Sequence, residues 1–208
     1  MALDLSALVA AHLSAIYPDA DADALAARAL AAFWPGSDAP RDQVKPGHLS
    51  LWSEADAVLI TYADSIRDPG AHPLAALHKF LREHVHPDIN AVHILPFFPW
   101  SSDDGFSVID YDAVDPKVGT WEDVAMIGQE FRLMADLVLN HCSSQSAWFR
   151  GFLAGDPAYA DWFKTAEPDD DLGAVVRPRP HPLLTRYEGA EGPEHVWCTF
   201  SADQVDLN

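Results

Sequence analysis

Apolar residues recur at helical spacing twice near the start of the chain. Leu5, Leu8, Val9, Leu13 and Ile16 mark one face of a first helix, which Tyr17-Pro18 ends. Asp21 and Asp23 stand where acids belong at a helix N-terminus, and Leu25, Ala29, Leu30 and Phe33 form the face of a second helix, closed by Pro35-Gly36. Residues 35–50 are rich in Pro, Gly, Ser and Asp and read as a linker. Residues 1–50 are therefore expected to form a helical N-terminal segment and linker, a hairpin or cap packed on the rest of the chain.

The pattern changes at residue 57. Ala57-Val-Leu-Ile-Thr-Tyr62 is a short, partly β-branched apolar run and predicts a buried strand. Pro73, Leu74, Leu77, Phe80 and Leu81 repeat at helical spacing over 72–84, and Ala91–Leu95 predicts a second strand stopped by Pro96. A long loop with Pro99 and Gly105 comes next. Thr120-Trp-Glu-Asp123 has the form of a capped helix start, with the helix running to about Arg132. Leu133–Leu139 predicts a third buried strand. Strand, helix, strand, helix, strand, with continuous apolar strands, is the signature of a parallel α/β sheet covered on both faces.

In such folds the C-terminal ends of the strands carry the active site. The three predicted strands end in Tyr62 and Asp64, in Phe97 and Phe98, and in Asn140 and His141. From residue 142 the alternation is lost in a region rich in Pro, Asp, Trp and Tyr, too long for an ordinary loop. The expected organisation is thus 51–141 as the first three βα units and 142–208 as an inserted subdomain.

Composition narrows the function classes. Hydrophobic residues make up 49% of the 208, enough for a core, and the formal net charge is −19. A nucleic-acid partner needs a basic face, and none is visible; the acidic balance also disfavours anionic membranes, although a local Arg pair could still hold an anionic substrate. Cys142 and Cys198 are the two cysteines, with neither a disulfide framework nor zinc spacing. Cys142 is expected to be a neutral buried thiol. The N-terminus carries Asp4 and no basic region before its apolar residues, unlike a secretory signal. No apolar run approaches the roughly 20 residues that span a bilayer. A cytoplasmic, soluble protein is the expectation.

Several segments carry a more specific message: Ile60–Ser65 (ITYADS), His93–Tyr111 (HILPFFPWSSDDGFSVIDY), Asp136–His141 (DLVLNH), Val176–Tyr187 (VRPRPHPLLTRY) and Val196–Asn208 (VWCTFSADQVDLN). With these motifs in this order the chain resembles the alpha-amylase superfamily of (β/α)-barrel glycoside hydrolases and transglycosylases, over roughly residues 57–208. It is most similar to the sucrose phosphorylase group, which includes glucosylglycerate and glucosylglycerol phosphorylases. The Ser-Ser-Asp-Asp-Gly-Phe stretch is closer to the glucosylglycerate enzymes. The resemblance implies the N-terminal part, about three βα units, of an eight-unit TIM barrel, with an inserted domain after the third strand and a helical segment in front.

It also implies a retaining double displacement, in which a carboxylate attacks the anomeric carbon, a carboxylic acid protonates the leaving oxygen, and phosphate then takes the glucosyl group. Glucoside and inorganic phosphate are the implied substrates, with no cofactor. In this family the nucleophile Asp lies on the fourth strand and the acid Glu on the fifth. Asn208 precedes both, so no catalytic residue is assigned and the expectation is a fragment inactive alone. A non-catalytic carbohydrate-binding remnant and a fragment of an alpha-glucosidase or amylase-like hydrolase are the alternatives. The sequence leaves open the acceptor and the oligomeric state.

The substrate-binding residues implied by the resemblance each have a plainer structural reading. His141 would hydrogen-bond a hydroxyl of the transferred glucosyl ring, or be a satisfied core histidine. Asp64 would accept from distal hydroxyls, or cap a helix or turn. Phe97, Phe98 and Phe106 could stack on a pyranose, or fill the core. Asp136 could orient its neighbours or support the barrel. Asn140 ligates calcium in hydrolytic relatives, but the phosphorylase group generally lacks that ion, so no metal is expected. Arg177 and Arg179 flank Pro178, and Arg179 would bind phosphate or an acidic acceptor such as glycerate. Gln204 would line the same pocket, and Asp206 reads as structural.

Overall fold

Side-chain caps set where the helices begin. In the computed structural model, which describes residues 4–33, 53–176 and 179–208, the Asp4 carboxylate accepts from the N–H groups of Ser6 and Ala7 at 3.0 and 3.3 Å and opens α1 (Leu5–Ile16). Asp21 does the same for α2 (Ala22–Phe33) through the N–H of Ala24 at 3.0 Å. The two helices form the expected hairpin, with the small residues Ala10 and Ala26 buried. The chain divides into two compact units, Met1–Ala55 and Asp56–Asn208, and this hairpin belongs to the first.

The second unit opens with β1 (Val58–Thr61), α3 (Pro73–His84), β2 (Ala91–Ile94), α4 (Trp121–Glu130) and β3 (Arg132–Ala135). Pro73 sits at the first position of α3, where its missing N–H leaves no helix bond unmade. Thr120 and Asp123 form a reciprocal capping box at the start of α4, as the Thr-x-x-Asp spacing predicts. The strands make one parallel sheet in the order β1-β2-β3, with Leu59, Val92 and Leu133 in register. Leu74, Leu77 and Leu81 of α3 and Val124 and Ile127 of α4 join Val92, Ile94, Phe97 and Phe98 in one core.

That core lies on one face of the sheet, whereas the continuous apolar strands predict two covered faces. Val58, Ile60 and Met134 are 52%, 62% and 53% exposed, and β1 alternates between exposed and half-buried positions. Leu59 and Val92 point to the helices and their neighbours point away, and among the described residues little packs on the side to which those neighbours point. The expected third strand also differs. It ends at Ala135 rather than Leu139, and Leu137 and Leu139 are 66% and 69% exposed. Beyond Ala135 the polar groups find partners outside the ladder. Asp136 pairs with His93 at 2.9 Å, and the Tyr111 hydroxyl bridges the carbonyls of Val138 and His141, both at 2.9 Å.

His141 therefore opens another strand, β4 (His141–Ser143), instead of ending the third. It pairs antiparallel with β7 (Gln204–Asp206), His141 opposite Asp206. Between them lie α5 (Ala147–Leu153) and the hairpin β5 (Leu184–Gly189) and β6 (Gly192–Trp197). Cys142, Phe149, Phe163, Val196, Cys198 and Val205 make a second core, and Tyr111 packs against both cores. Cys142 is fully buried and its thiol is pushed up to about 11 by burial, the neutral thiol expected from the sequence.

Candidate functional site

The ends of β1 and β2 open into a cleft of about 830 Å3. Asp64, Phe97 and Phe98 line it together with Tyr62, Trp100 and Lys117. Phe97 and Phe98 are 3% and 8% exposed, stand 4.8 Å apart between ring centroids, and Phe97 meets Trp121 edge-on at 5.7 Å. Most of their surface is thus committed to the core, and the cleft sees only what remains. The Asp64 carboxylate pairs with Arg67 at 2.6 Å and is 43% exposed, so lone pairs remain for hydroxyl donors. Asp68, Asp104 and Asp115 also line the cleft, where carboxylates outnumber the cations Arg67 and Lys117. Such a wall suits a neutral, hydroxyl-rich ligand better than a bare anion.

His141, Phe106 and Gln204 form a second cluster, which does not line that cleft. His141 is 5% exposed, and its Nε2 lies 3.0 Å from the main-chain carbonyl of Phe106. A carbonyl can only accept, so a proton on Nε2 satisfies this bond. Nδ1 is then an acceptor, buried with no protein partner. Burial holds the imidazole below its usual range, against the opposing pull of the Phe106 carbonyl and of the Asp206 and Asp103 carboxylates, so His141 is neutral at pH 7. Gln204 donates through Nε2 to Asp103 at 3.0 Å; the same nitrogen lies 3.1 Å from His141 Nε2, which in this tautomer is an approach of two donors and not a hydrogen bond. Phe200 stands 5.0 Å from the His141 ring.

The cleft and the His141 cluster meet at one tight turn, Asp103–Gly105. Asp104 lines the cleft, while Asp103 holds Gln204. All three residues of the turn have positive φ: 58° at Asp103, 50° at Asp104 and 106° at Gly105. Two of them are not glycine, a conformation that costs on the order of 1 kcal/mol each. Gly105 is required sterically, because a Cβ there would stand 2.7 Å from the Pro96 carbonyl. Around this turn, one Asp203 carboxylate oxygen accepts from the hydroxyls of Ser101, Ser102 at 2.6 Å and Ser107 at 2.8 Å; the other accepts from Ser144 at 2.6 Å. Burial raises the Asp203 carboxyl, but these donors outweigh it and hold it below the usual carboxylate range.

Sequence reasoning misses this serine cage. The Ser-Ser and Ser107 hydroxyls sit in a motif that is legible, but their acceptor lies about a hundred residues away, beyond any local pattern. Asn140, by contrast, is exposed, and its main-chain carbonyl accepts from Leu207 N–H at 2.9 Å. Arg179 is exposed and does not line the cleft; Arg177 lies outside the described residues. Asp206 accepts from the main chain and hydroxyl of Thr199, a structural use. Among the described residues no group of three or more His, Cys, Asp or Glu side chains is placed to hold a metal ion, and no helix is long and apolar enough to cross a membrane.

The alpha amylase catalytic-domain family matches residues 86–208. The chain belongs to the alpha-amylase family. Within it, the chain is 57% identical over 170 residues to a glucosylglycerate phosphorylase of Spirochaeta thermophila and 46% identical over 158 residues to that of Escherichia coli. These alignments cover 82% and 76% of this chain but 29% and 28% of the relatives. A sucrose phosphorylase of Streptococcus mutans is 33% identical over 73% of this chain. Among solved structures, sucrose 6F-phosphate phosphorylase from Thermoanaerobacter thermosaccharolyticum superposes with a TM-score of 0.67 at 32% identity, covering 77% of this chain and 35% of that one. The chain thus spans about 30% of the length of the curated relatives, and its three parallel strands with the two helices between them form an N-terminal part of the alpha-amylase family's TIM barrel.

Proposed function

We propose that this chain forms the first βα units and one wall of the glucosyl pocket of a retaining phosphorylase of the glucosylglycerate type. The reaction is glucoside plus inorganic phosphate giving glucose 1-phosphate and the released acceptor, by double displacement. The observation that carries this reading is the cleft at the ends of two adjacent parallel strands, where the Asp64 carboxylate and the rings of Phe97 and Phe98 line one concave wall. A carboxylate accepts from sugar hydroxyls, and an aromatic face meets the C–H side of a pyranose. Outside the lining of that cleft, His141 holds a buried acceptor, Nδ1, with no protein partner. The similarity to glucosylglycerate phosphorylases supports the acceptor class.

In this reading Asp64, Phe97, Phe98, Phe106, Asn140, His141, Arg179 and Gln204 are the substrate-binding set, with Arg179 on the phosphate or the acidic acceptor. Residues 142–208 are the inserted subdomain of the barrel, and the helical segment precedes the barrel units; the linker predicted over residues 35–50 lies outside the described residues. Phosphate is a co-substrate, and no residue of this chain is assigned as nucleophile or general acid. The setting is cytoplasmic carbohydrate metabolism, without nucleic-acid or membrane partners.

The test is calorimetric titration of the chain with glucosylglycerate, sucrose and glucosylglycerol, alongside an assay for glucose 1-phosphate. Binding that is strongest for glucosylglycerate, without turnover, is expected. A folded chain that binds none of the three, or that releases glucose 1-phosphate unaided, contradicts the proposal.

A further inference from the structure

We infer that Asp203 is a positioning residue for the glucosyl pocket, acting as the clamp that holds the left-handed Asp103–Gly105 turn in place. The inference deepens the proposed function, on whose pocket it rests. Three of the four hydroxyls on its carboxylate come from Ser101, Ser102 and Ser107, which bracket the turn on both sides. The fourth, Ser144, ties the same carboxylate to the chain just past β4, the strand that carries His141. Ser101 also lies 2.6 Å from Ser143, on β4 itself. The clamp therefore spans the loop after β2, the β4 end and the residue before Gln204.

What the turn delivers shows why a clamp is needed. Asp103 receives the Gln204 amide, the Phe106 carbonyl receives His141, and Asp104 lines the cleft. Local backbone bonds alone are few: Phe106 N–H to Asp103 carbonyl at 3.0 Å, Ser107 N–H to Ser102 carbonyl at 3.2 Å and Ser101 N–H to Ser107 carbonyl at 3.1 Å. Two non-glycine residues at positive φ persist only where surrounding contacts over-determine them. A carboxylate gathering four hydroxyls is such a contact, since bonds to an ionised acceptor are stronger than neutral ones. Releasing the carboxylate frees the turn, and with it the Phe106 carbonyl that orients the His141 imidazole.

The test compares the wild-type chain with Asp203→Asn and the milder Ser102→Ala, reading two independent signals. The first is the NMR titration of the His141 ring, which faces Asp103, Asp206, Gln204 and the Phe106 carbonyl. The expected result is a midpoint displaced from its wild-type position in Asp203→Asn, because the freed turn changes both the hold of the Phe106 carbonyl and the burial of the ring, with a smaller displacement in Ser102→Ala. The second is glucosylglycerate affinity, expected to weaken by about tenfold in Asp203→Asn. Adding Asp104→Gly to Asp203→Asn relieves the strained position and is expected to return the His141 midpoint part of the way. If Asp203→Asn and Ser102→Ala lower the melting temperature but leave the His141 midpoint unchanged, Asp203 is merely structural and the inference fails. If the midpoint moves while the wild type binds no glucoside, the clamp stands and the proposed function fails.

Discussion

His141 donates through Nε2 to the carbonyl of Phe106 at 3.0 Å, while its Nδ1 is buried without a protein partner. That bond fixes the orientation of the imidazole, and burial keeps it neutral against the upward pull of the same carbonyl. Its folded pKa lies below the unfolded value of 6.5, so between the two the unfolded chain binds more protons than the folded one. Stability from this site is complete above 6.5 and is lost as pH falls through the lowered folded value. Melting curves of wild type and His141→Gln should therefore converge as pH drops from about 7 through this window. A difference in melting temperature that does not change with pH contradicts a neutral buried His141.

Gly105 has no tolerance for a side chain. Its φ is 106°, and an added Cβ meets the Pro96 carbonyl at 2.7 Å, which is main chain and cannot swing aside. Gly105→Ala is expected to cost about 2–4 kcal/mol in urea unfolding, the sum of strain and overlap. Gly155→Ala, also at positive φ but in open space, should cost less because only the conformational cost applies.

The two cysteines should be inert in the native chain. Both are fully buried, and burial raises both thiols, Cys142 to about 11. An Ellman reagent at about pH 8 is expected to modify neither until denaturant is added, when both react. Rapid modification of one thiol in the folded chain would show that the second core opens locally.

The sheet face that is exposed among the described residues predicts self-association of this chain. Val58, Ile60 and Met134, with Leu137 and Leu139 beyond them, leave apolar surface in water. Sedimentation should show concentration-dependent association of the wild type, reduced in an Ile60→Thr, Met134→Thr double variant at little cost in stability. Equal association of the two forms rejects this face as the contact.

Much of the fold is legible in the sequence because its signals are local. Leu74, Leu77 and Leu81 recur at helical spacing, Thr120 and Asp123 form a capping box, and Val58–Thr61 and Ala91–Ile94 are short β-branched runs closed by turn residues. The third strand reads too long because apolar content cannot tell a buried strand from an extended segment. Leu137 and Leu139 fit either, and the break at Asp136 is set by a partner, His93, in another strand. Of the candidate site, Asp64, Phe97 and Phe98 do share one cleft, as their strand-end positions predict. His141 and Gln204 also meet, but through antiparallel pairing of β4 with β7, a contact invisible to periodicity. The serine cage of Asp203 depends wholly on such long-range pairing.

Whether the cleft at the ends of β1 and β2 holds a glucosyl unit is read most directly by chemical-shift mapping. The isotope-labelled chain is titrated with glucosylglycerate, and the titration is repeated on Asp64→Ala. Shifts are expected to concentrate at Ala63, Asp64, Phe97, Phe98 and Asp104, to saturate with ligand, and to vanish in Asp64→Ala. Shifts confined to the β5–β6 hairpin, or shifts unaltered by Asp64→Ala, would contradict a glucosyl site in this cleft.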